Sequence, residues 1–252
     1  MNKLTAIAVL IFISTTFAQV NIEKYNNLNT SVKSIKKVTF NFSAKTGNTD
    51  IQELGIDARL NYKGENYYSI IVGQGSYGWK NGTQYSNNAL LHFRYLHELH
   101  KFYYPEFFSQ INYDKSRLLQ LRTLVGAGLR FSIISDSISN LNYGATYMFE
   151  YEKLDLPKYS KPLNKTNDHR WNNYLSYSNI ISSNSRVSFA VYYQPRFDKF
   201  NDFRILSENY IGVEISETLV LSLSFNLRYD SLPPDKIKNL DTVTITGITV
   251  NL

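Results

Sequence analysis

From Lys37 to the final residue, apolar and polar side chains alternate along one segment after another, and this period of two constrains the fold more than any other property of the chain. In Ser222-Leu223-Ser224-Phe225-Asn226-Leu227-Arg228-Tyr229 and Thr242-Val243-Thr244-Ile245-Thr246-Gly247-Ile248-Thr249-Val250-Asn251-Leu252, every second residue falls on the same face. A strand built from either stretch has one oily side and one wet side. Turn residues separate the segments. The pattern reads as all-β: a closed antiparallel up-and-down transmembrane β-barrel of about 12 strands.

Residues 1–18 stand apart from that pattern. Asn2-Lys3 gives a short basic start, Ala6 to Phe12 an apolar core, and Ser14-Thr15-Thr16-Phe17-Ala18 a small-residue exit, as in a secretory signal cleaved after Ala18. The apolar run from Leu4 to Ile13 is about ten residues, short of the roughly 20 that a helix needs to cross a bilayer. Residues 19–36 are expected to be a short periplasmic segment and residues 37–252 the barrel. No Pro-, Gly- or Ser-rich stretch offers a linker, so the mature chain of roughly 234 residues reads as one domain.

Composition narrows the class further. There is no cysteine, so an exported chain of this size relies on backbone pairing and side-chain packing alone. Tyr (20) and Phe (15) are abundant, while mean hydropathy is slightly negative. Membrane barrels combine these traits because half of each strand faces water and amphipathic rings gather at the interfaces. The formal charge of +6 falls to about +5 without Lys3, and the basic residues are scattered, with no stripe of the kind that binds nucleic acid.

Turn signals cut the chain into twelve segments of roughly 9 to 14 residues, the length a tilted membrane strand needs. These are Lys37 to Lys45, Ile51 to Tyr62, Tyr67 to Tyr77, Tyr85 to His97, Phe102 to Tyr113, Arg117 to Phe131, Ile138 to Glu152, Arg170 to Ile181, Arg186 to Gln194, Phe203 to Ile215, Thr218 to Tyr229 and Leu240 to Leu252. The three longest connections, Lys153 to His169, Pro195 to Asp202 and Asp230 to Asn239, are all odd-numbered and hold five of the six prolines. With both termini periplasmic, they are the outer loops, which are the longer ones in outer-membrane barrels. Lys158, Lys161, Lys165 and Arg170 then read as a solvated charged loop.

Parity assigns the faces. Val38, Phe40, Phe42 and Ala44 are expected to face lipid in the first segment. In the sixth, the lipid set is Leu119, Leu121, Val125, Ala127, Leu129 and Phe131; in the eleventh it is Leu219, Leu221, Leu223, Phe225 and Leu227. The candidate lumen-lining residues are Glu53, Asp57, Arg59, His92, Arg94, Glu106, Arg122, Arg130, Glu150, Arg186, Glu208 and Arg228, with Gln110, Glu214 and Asp230 on the same parity. Parity alone does not separate inside from outside, and a soluble secreted barrel binding a small apolar ligand would carry the opposite arrangement. Strand length, the export signal and an aromatic girdle favour the membrane barrel. That girdle comprises Tyr77, Tyr113, Tyr151, Tyr193 and Tyr229, with Trp171 and Phe203 alongside.

Three motifs invite chemistry and decline it. Gly73-Gln74-Gly75-Ser76-Tyr77-Gly78 matches a dinucleotide fingerprint, but a turn at Trp79-Lys80-Asn81-Gly82 stands where the phosphate-binding helix belongs. The Gly126 and Gly128 pair reads as relief for neighbouring aromatics. His97-Glu98-Leu99-His100 lacks the four-residue spacing of a zinc-protease helix and sits at a turn, so no metal is expected. His92 is the one inward histidine well inside a segment, and no serine or acid near it completes a triad. A barrel-embedded hydrolase acting on lipid or peptide is the enzymatic alternative.

The segment Glu106-Phe107-Phe108-Ser109-Gln110-Ile111-Asn112-Tyr113-Asp114, then Leu121-Arg122-Thr123 and Gly126-Ala127-Gly128-Leu129-Arg130-Phe131, resembles the uncharacterised family of salt-induced outer membrane proteins. Arg228-Tyr229-Asp230-Ser231-Leu232-Pro233-Pro234-Asp235 with Lys238-Asn239-Leu240-Asp241-Thr242 is similar to that family's closing loop. The resemblance implies an outer-membrane barrel with no catalytic residues to carry over. Such barrels usually end in Phe, read by the assembly machinery, whereas this chain ends in Leu252. The expected role is a non-enzymatic narrow polar pore or structural envelope component, without cofactor. Its expected partners are outer-membrane lipids, the barrel assembly machinery and small polar solutes or ions.

Overall fold

The computed structural model describes residues 33–45, 51–156, 163–233 and 237–251. Twelve antiparallel strands close into one barrel. They are β1 (Ser34–Lys45), β2 (Ile51–Lys63), β3 (Tyr67–Lys80), β4 (Thr83–His97), β5 (Tyr103–Asp114), β6 (Leu119–Ser135), β7 (Ser139–Leu154), β8 (Lys165–Ser182), β9 (Ser185–Pro195), β10 (Phe203–Glu214), β11 (Leu219–Asp230) and β12 (Leu240–Asn251). Each strand pairs with its neighbours in sequence, and β1 pairs with β12. The closed up-and-down topology that alternation implies is therefore the observed one. Closure matters because an open sheet edge leaves a row of amides and carbonyls without strand partners.

Local chemistry sets the turns. Asn81 and Gly82 both have positive φ (48° and 76°), the backbone of a tight two-residue hairpin whose twist matches the strands it joins. Between β5 and β6, Lys115–Arg117 form one 3₁₀ turn, capped by Asp114, whose side chain accepts from the Ser116 amide at 3.0 Å. Leu118 then adopts a left-handed conformation (φ 57°) that bulky residues rarely take.

Five expectations are corrected. Arg117 belongs to this 3₁₀ turn, so β6 starts at Leu119. Leu119 is buried because a bulge between Leu119 and Leu121 reverses its parity. Lys153 and Leu154 extend β7 and Lys165 to His169 open β8, which confines the long connection to residues 155–164. Lys153 with Lys165 and Glu150 with Asp168 are paired along that extension, since backbone pairing does not require an oily face. Pro195 closes β9 instead of opening a loop, in a terminal position where its missing donor is tolerated. At the other end of the chain, β1 already pairs with β2 at Ser34, opposite Tyr62. The signal segment, Lys158, Lys161 and Leu252 lie outside the described residues.

The faces sort by polarity. Phe42 is 68% exposed and Leu221 49%, whereas Arg122 is 1% and Glu150 0%. Phe40, Val125, Leu129, Phe131, Leu223 and Phe225 join the exposed set. At the end bearing the odd-numbered connections, Tyr77, Tyr113, Trp171 and Tyr193 are exposed, and the Phe203 ring touches those of Tyr193 and Tyr229 at 5.6 and 5.8 Å. A second aromatic band, not anticipated, lies at the opposite end. Tyr67 contacts Tyr62 and Tyr95 (5.9 and 5.7 Å), and Phe131 stacks on Tyr143 (6.4 Å).

Candidate functional site

The inner wall is the candidate site. Of the twelve candidate lumen residues, nine are buried, and Asp57, Arg186 and Arg228 are half-buried. They do not form one cluster. They divide into a lattice at the odd-connection mouth, a packed waist and a partly open lane.

The lattice centres on Glu150 of β7. Arg122 Nε donates to its Oε2 at 2.7 Å, Arg204 Nη1 donates to both oxygens at 2.6 and 2.7 Å, and Arg170 Nε reaches Oε1 at 3.3 Å. Arg204 also binds Glu152 (3.1 Å) and Asp230 (2.9 Å). Arg170 continues to Asp202 at 3.0 Å, and Arg196 joins Asp168, Asp198 and Asp202 at 3.2, 2.7 and 3.3 Å. Arg117 donates to Asp241 at 2.7 Å, which ties the β5–β6 connection to the start of β12. Burial pushes the Arg117 guanidinium down, and Asp114 and Asp241 oppose that shift. Arg170 is thus a buried lattice member, not part of a solvated loop. Buried charges persist only when paired in this manner.

At the waist, Arg94 meets Glu106 at 2.5 Å, and the Tyr174 hydroxyl donates to the same carboxylate. The Arg94 guanidinium lies over the rings of Phe108 (5.2 Å) and Tyr174 (5.5 Å). His92 Nδ1 meets Gln110 Oε1 at 3.1 Å, and Gln110 donates on to Asn112 at 3.1 Å. Apolar patches fill the remaining space: Phe108 with Leu124 and Met148, and Tyr174 with Tyr192 and Leu206. Glycines seat these rings. A Cβ at Gly126 would lie 2.2 Å from Phe108, and one at Gly144 2.0 Å from Tyr174. Gly128 differs from the expectation, since it makes room for the Ala145 carbonyl, a backbone atom, at 2.3 Å.

Half-buried inward residues continue along β1, β2, β10 and β11. Lys37, Thr39, Asp57, Tyr210, Ser224 and Asn226 belong to this lane. Gln74 donates to Asp57, Arg186 pairs with Glu214 at 2.5 Å, and Thr39 meets Thr249 at 2.7 Å. Both charge signs line it.

The same parity marks further residues of this wall. Glu152 and Arg204 share the inward parity of Glu150 and Glu208, and Asp168 with Arg170 forms an i, i+2 pair on the inner face. Arg117, Arg196, Asp202 and Asp241 lie at strand ends or in connections, where alternation carries no signal. The dinucleotide-like glycines sit within β3, which runs on to Lys80. His97 Nδ1 meets the Tyr95 hydroxyl at 3.3 Å, and the His100 ring lies against Tyr103 at 5.4 Å. Among the described residues no group of three or more His, Cys, Asp or Glu is placed to hold a metal.

Comparison with known proteins adds three findings. A family model described as "Protein of unknown function, DUF481" matches residues 38–252. No curated protein matches the chain. Among solved structures, the NanC porin is similar at 8% identity and TM-score 0.48, covering 86% of this chain and 97% of its own. The KdgM porin gives 9% and 0.45, covering 87% and 99%. The translocator domain of the autotransporter NalP from Neisseria meningitidis gives 9% and 0.46, covering 86% of each.

Proposed function

We propose an outer-membrane, non-enzymatic role for this chain, which belongs to the DUF481 family of proteins of unknown function: a narrow polar path across the bilayer whose mouth is held shut by ion pairs. One observation carries the reading, namely that ionic side chains line the inside of the barrel while Phe42, Leu129, Leu223 and Phe225 cover the outside. Water does not tolerate a continuous apolar belt of that kind, and hydrocarbon does. Export by residues 1–18, insertion by the barrel assembly machinery and contact with outer-membrane lipids belong to the same reading. So does membership of the salt-induced group. The odd-numbered connections then face outward and the path serves small polar solutes or ions.

A second role, reinforcement of the envelope, is favoured by the waist, where His92, Arg94, Phe108, Leu124 and Met148 are all 0% exposed. Fractionation and conductance test the two readings together. The protein is expected in the membrane pellet, with a folded gel band that shifts on heating. In a planar bilayer, the pore reading expects small discrete steps that grow in Glu150→Ala; silence in both proteins leaves reinforcement. Release into the soluble fraction contradicts both. Lipid or peptide hydrolysis that disappears in His92→Ala contradicts the non-enzymatic role.

A further inference from the structure

The barrel is not equally closed around its circumference. β1 and β12 share four residue pairs, from Lys37 with Asn251 to Phe40 with Ile248, whereas every other neighbouring pair of strands shares nine or more. Both strands continue past that point. β1 stays paired with β2 as far as Lys45 with Ile51, and β12 stays paired with β11 back to Leu240. Residues 41–45 and 240–247 therefore turn unpaired edges toward each other at the odd-connection end of the wall.

A concavity of about 1010 Å³ lies along this gap. Its outer lining is apolar, with Phe40, Phe42, Leu54, Leu221 and Ile248, and it reaches inward to Asn41. Asn41 sits where pairing stops, between two glycines: a Cβ on Gly55 would lie 3.4 Å from the Asn41 Cβ, and one on Gly247 2.6 Å from its Oδ1. That Oδ1 is buried and accepts no hydrogen bond among the described residues. At the aromatic band, the Tyr113 hydroxyl donates to Asn87 Oδ1 at 2.7 Å, and both residues border the groove.

We propose that the β1–β12 seam is a lateral portal that takes one acyl chain of a membrane amphiphile, with a donor-bearing head at Asn41. The inference rests on the proposed membrane setting. An exposed strand edge is not tolerated in hydrocarbon unless protein or polar groups cover it, and an amphiphile's head supplies those groups while its chain fills the apolar lining.

The chain has no native cysteine, so introduced pairs report on the seam directly. Thr39→Cys with Thr249→Cys, on the paired part, is expected to oxidise readily, and Phe42→Cys with Thr246→Cys to stay reduced under the same oxidant. Occupancy is read in phosphatidylcholine vesicles with brominated monostearoylglycerol, whose glycerol hydroxyls donate, as quencher. Trp171→Phe leaves Trp79, which packs 4.6 Å from Tyr77 of the groove, as the sole tryptophan. Its quenching is expected to saturate, and to lose that saturation in Gly75→Leu, where a Cβ meets only the Asn88 carbonyl at 3.7 Å and so fits the fold. Equal oxidation of the two cysteine pairs overturns the portal, as does linear quenching unchanged by Gly75→Leu in protein that floats with the vesicles. Protein that fails to float overturns the membrane setting as well, which separates the two failures.

Discussion

Glu150 accepts hydrogen bonds from arginines on three strands, β6, β8 and β10. Removing one partner of a buried ion pair leaves uncompensated charge, at a cost of about 3–5 kcal/mol. Glu150→Ala is therefore expected to lower the urea midpoint of the folded gel band by that equivalent, while Glu98→Ala, at an exposed position outside the strands, changes it little. Exposed connections respond to pH instead. Backbone amides of Ser139 and Ile138 hold the Asp136 carboxyl below its ordinary 3.8, and the Arg196 side chain does the same for Asp198. Both folded values are depressed, so the stabilisation is present above the unfolded value and is lost as pH falls through the folded one. The difference in unfolding midpoint between wild type and Asp136→Asn is expected to hold near neutrality and to close below about pH 3.8. A difference that persists in acid contradicts this assignment.

At the scale of elements, alternation made most strand boundaries legible, because one face of every strand had to be oily. It failed where that demand lapses. Lys165-Thr166-Asn167-Asp168-His169 has no oily face, yet it pairs with β7. The Leu119 bulge likewise leaves no mark in the pattern. The second aromatic band was legible in principle, since Tyr62, Tyr67 and Tyr95 share outward parity. The apolar packing of the waist was not, because Phe108, Leu124 and Met148 occupy positions that a water-filled lumen would give to polar groups. Gly144 tests that packing. Gly144→Val drives side-chain atoms into the Tyr174 ring and is expected to destabilise the barrel by about 1–3 kcal/mol, read as a lower urea midpoint. The double variant with Tyr174→Ala is expected to recover part of the loss.

For the whole molecule, sequence parity assigned each candidate lumen residue to a face but left open which face was inside, since period two is the same for a soluble and a membrane barrel. Burial resolves that choice: the ionic face is inside. Consequences follow for β11. Leu223→Lys on the outer wall is expected to cost about 2–4 kcal/mol if it lies at the bilayer midplane, whereas Ser224→Lys on the inner face is expected to cost much less. The most direct measurement is a single-cysteine spin-label scan of β11 in vesicles, comparing collisions with oxygen, which concentrates in hydrocarbon, and with a water-soluble nickel chelate. High oxygen and low nickel accessibility are expected at Leu221, Leu223 and Phe225, with the reverse balance at Ser222, Ser224 and Asn226. An inverted period, or nickel access at all six positions, would contradict the account.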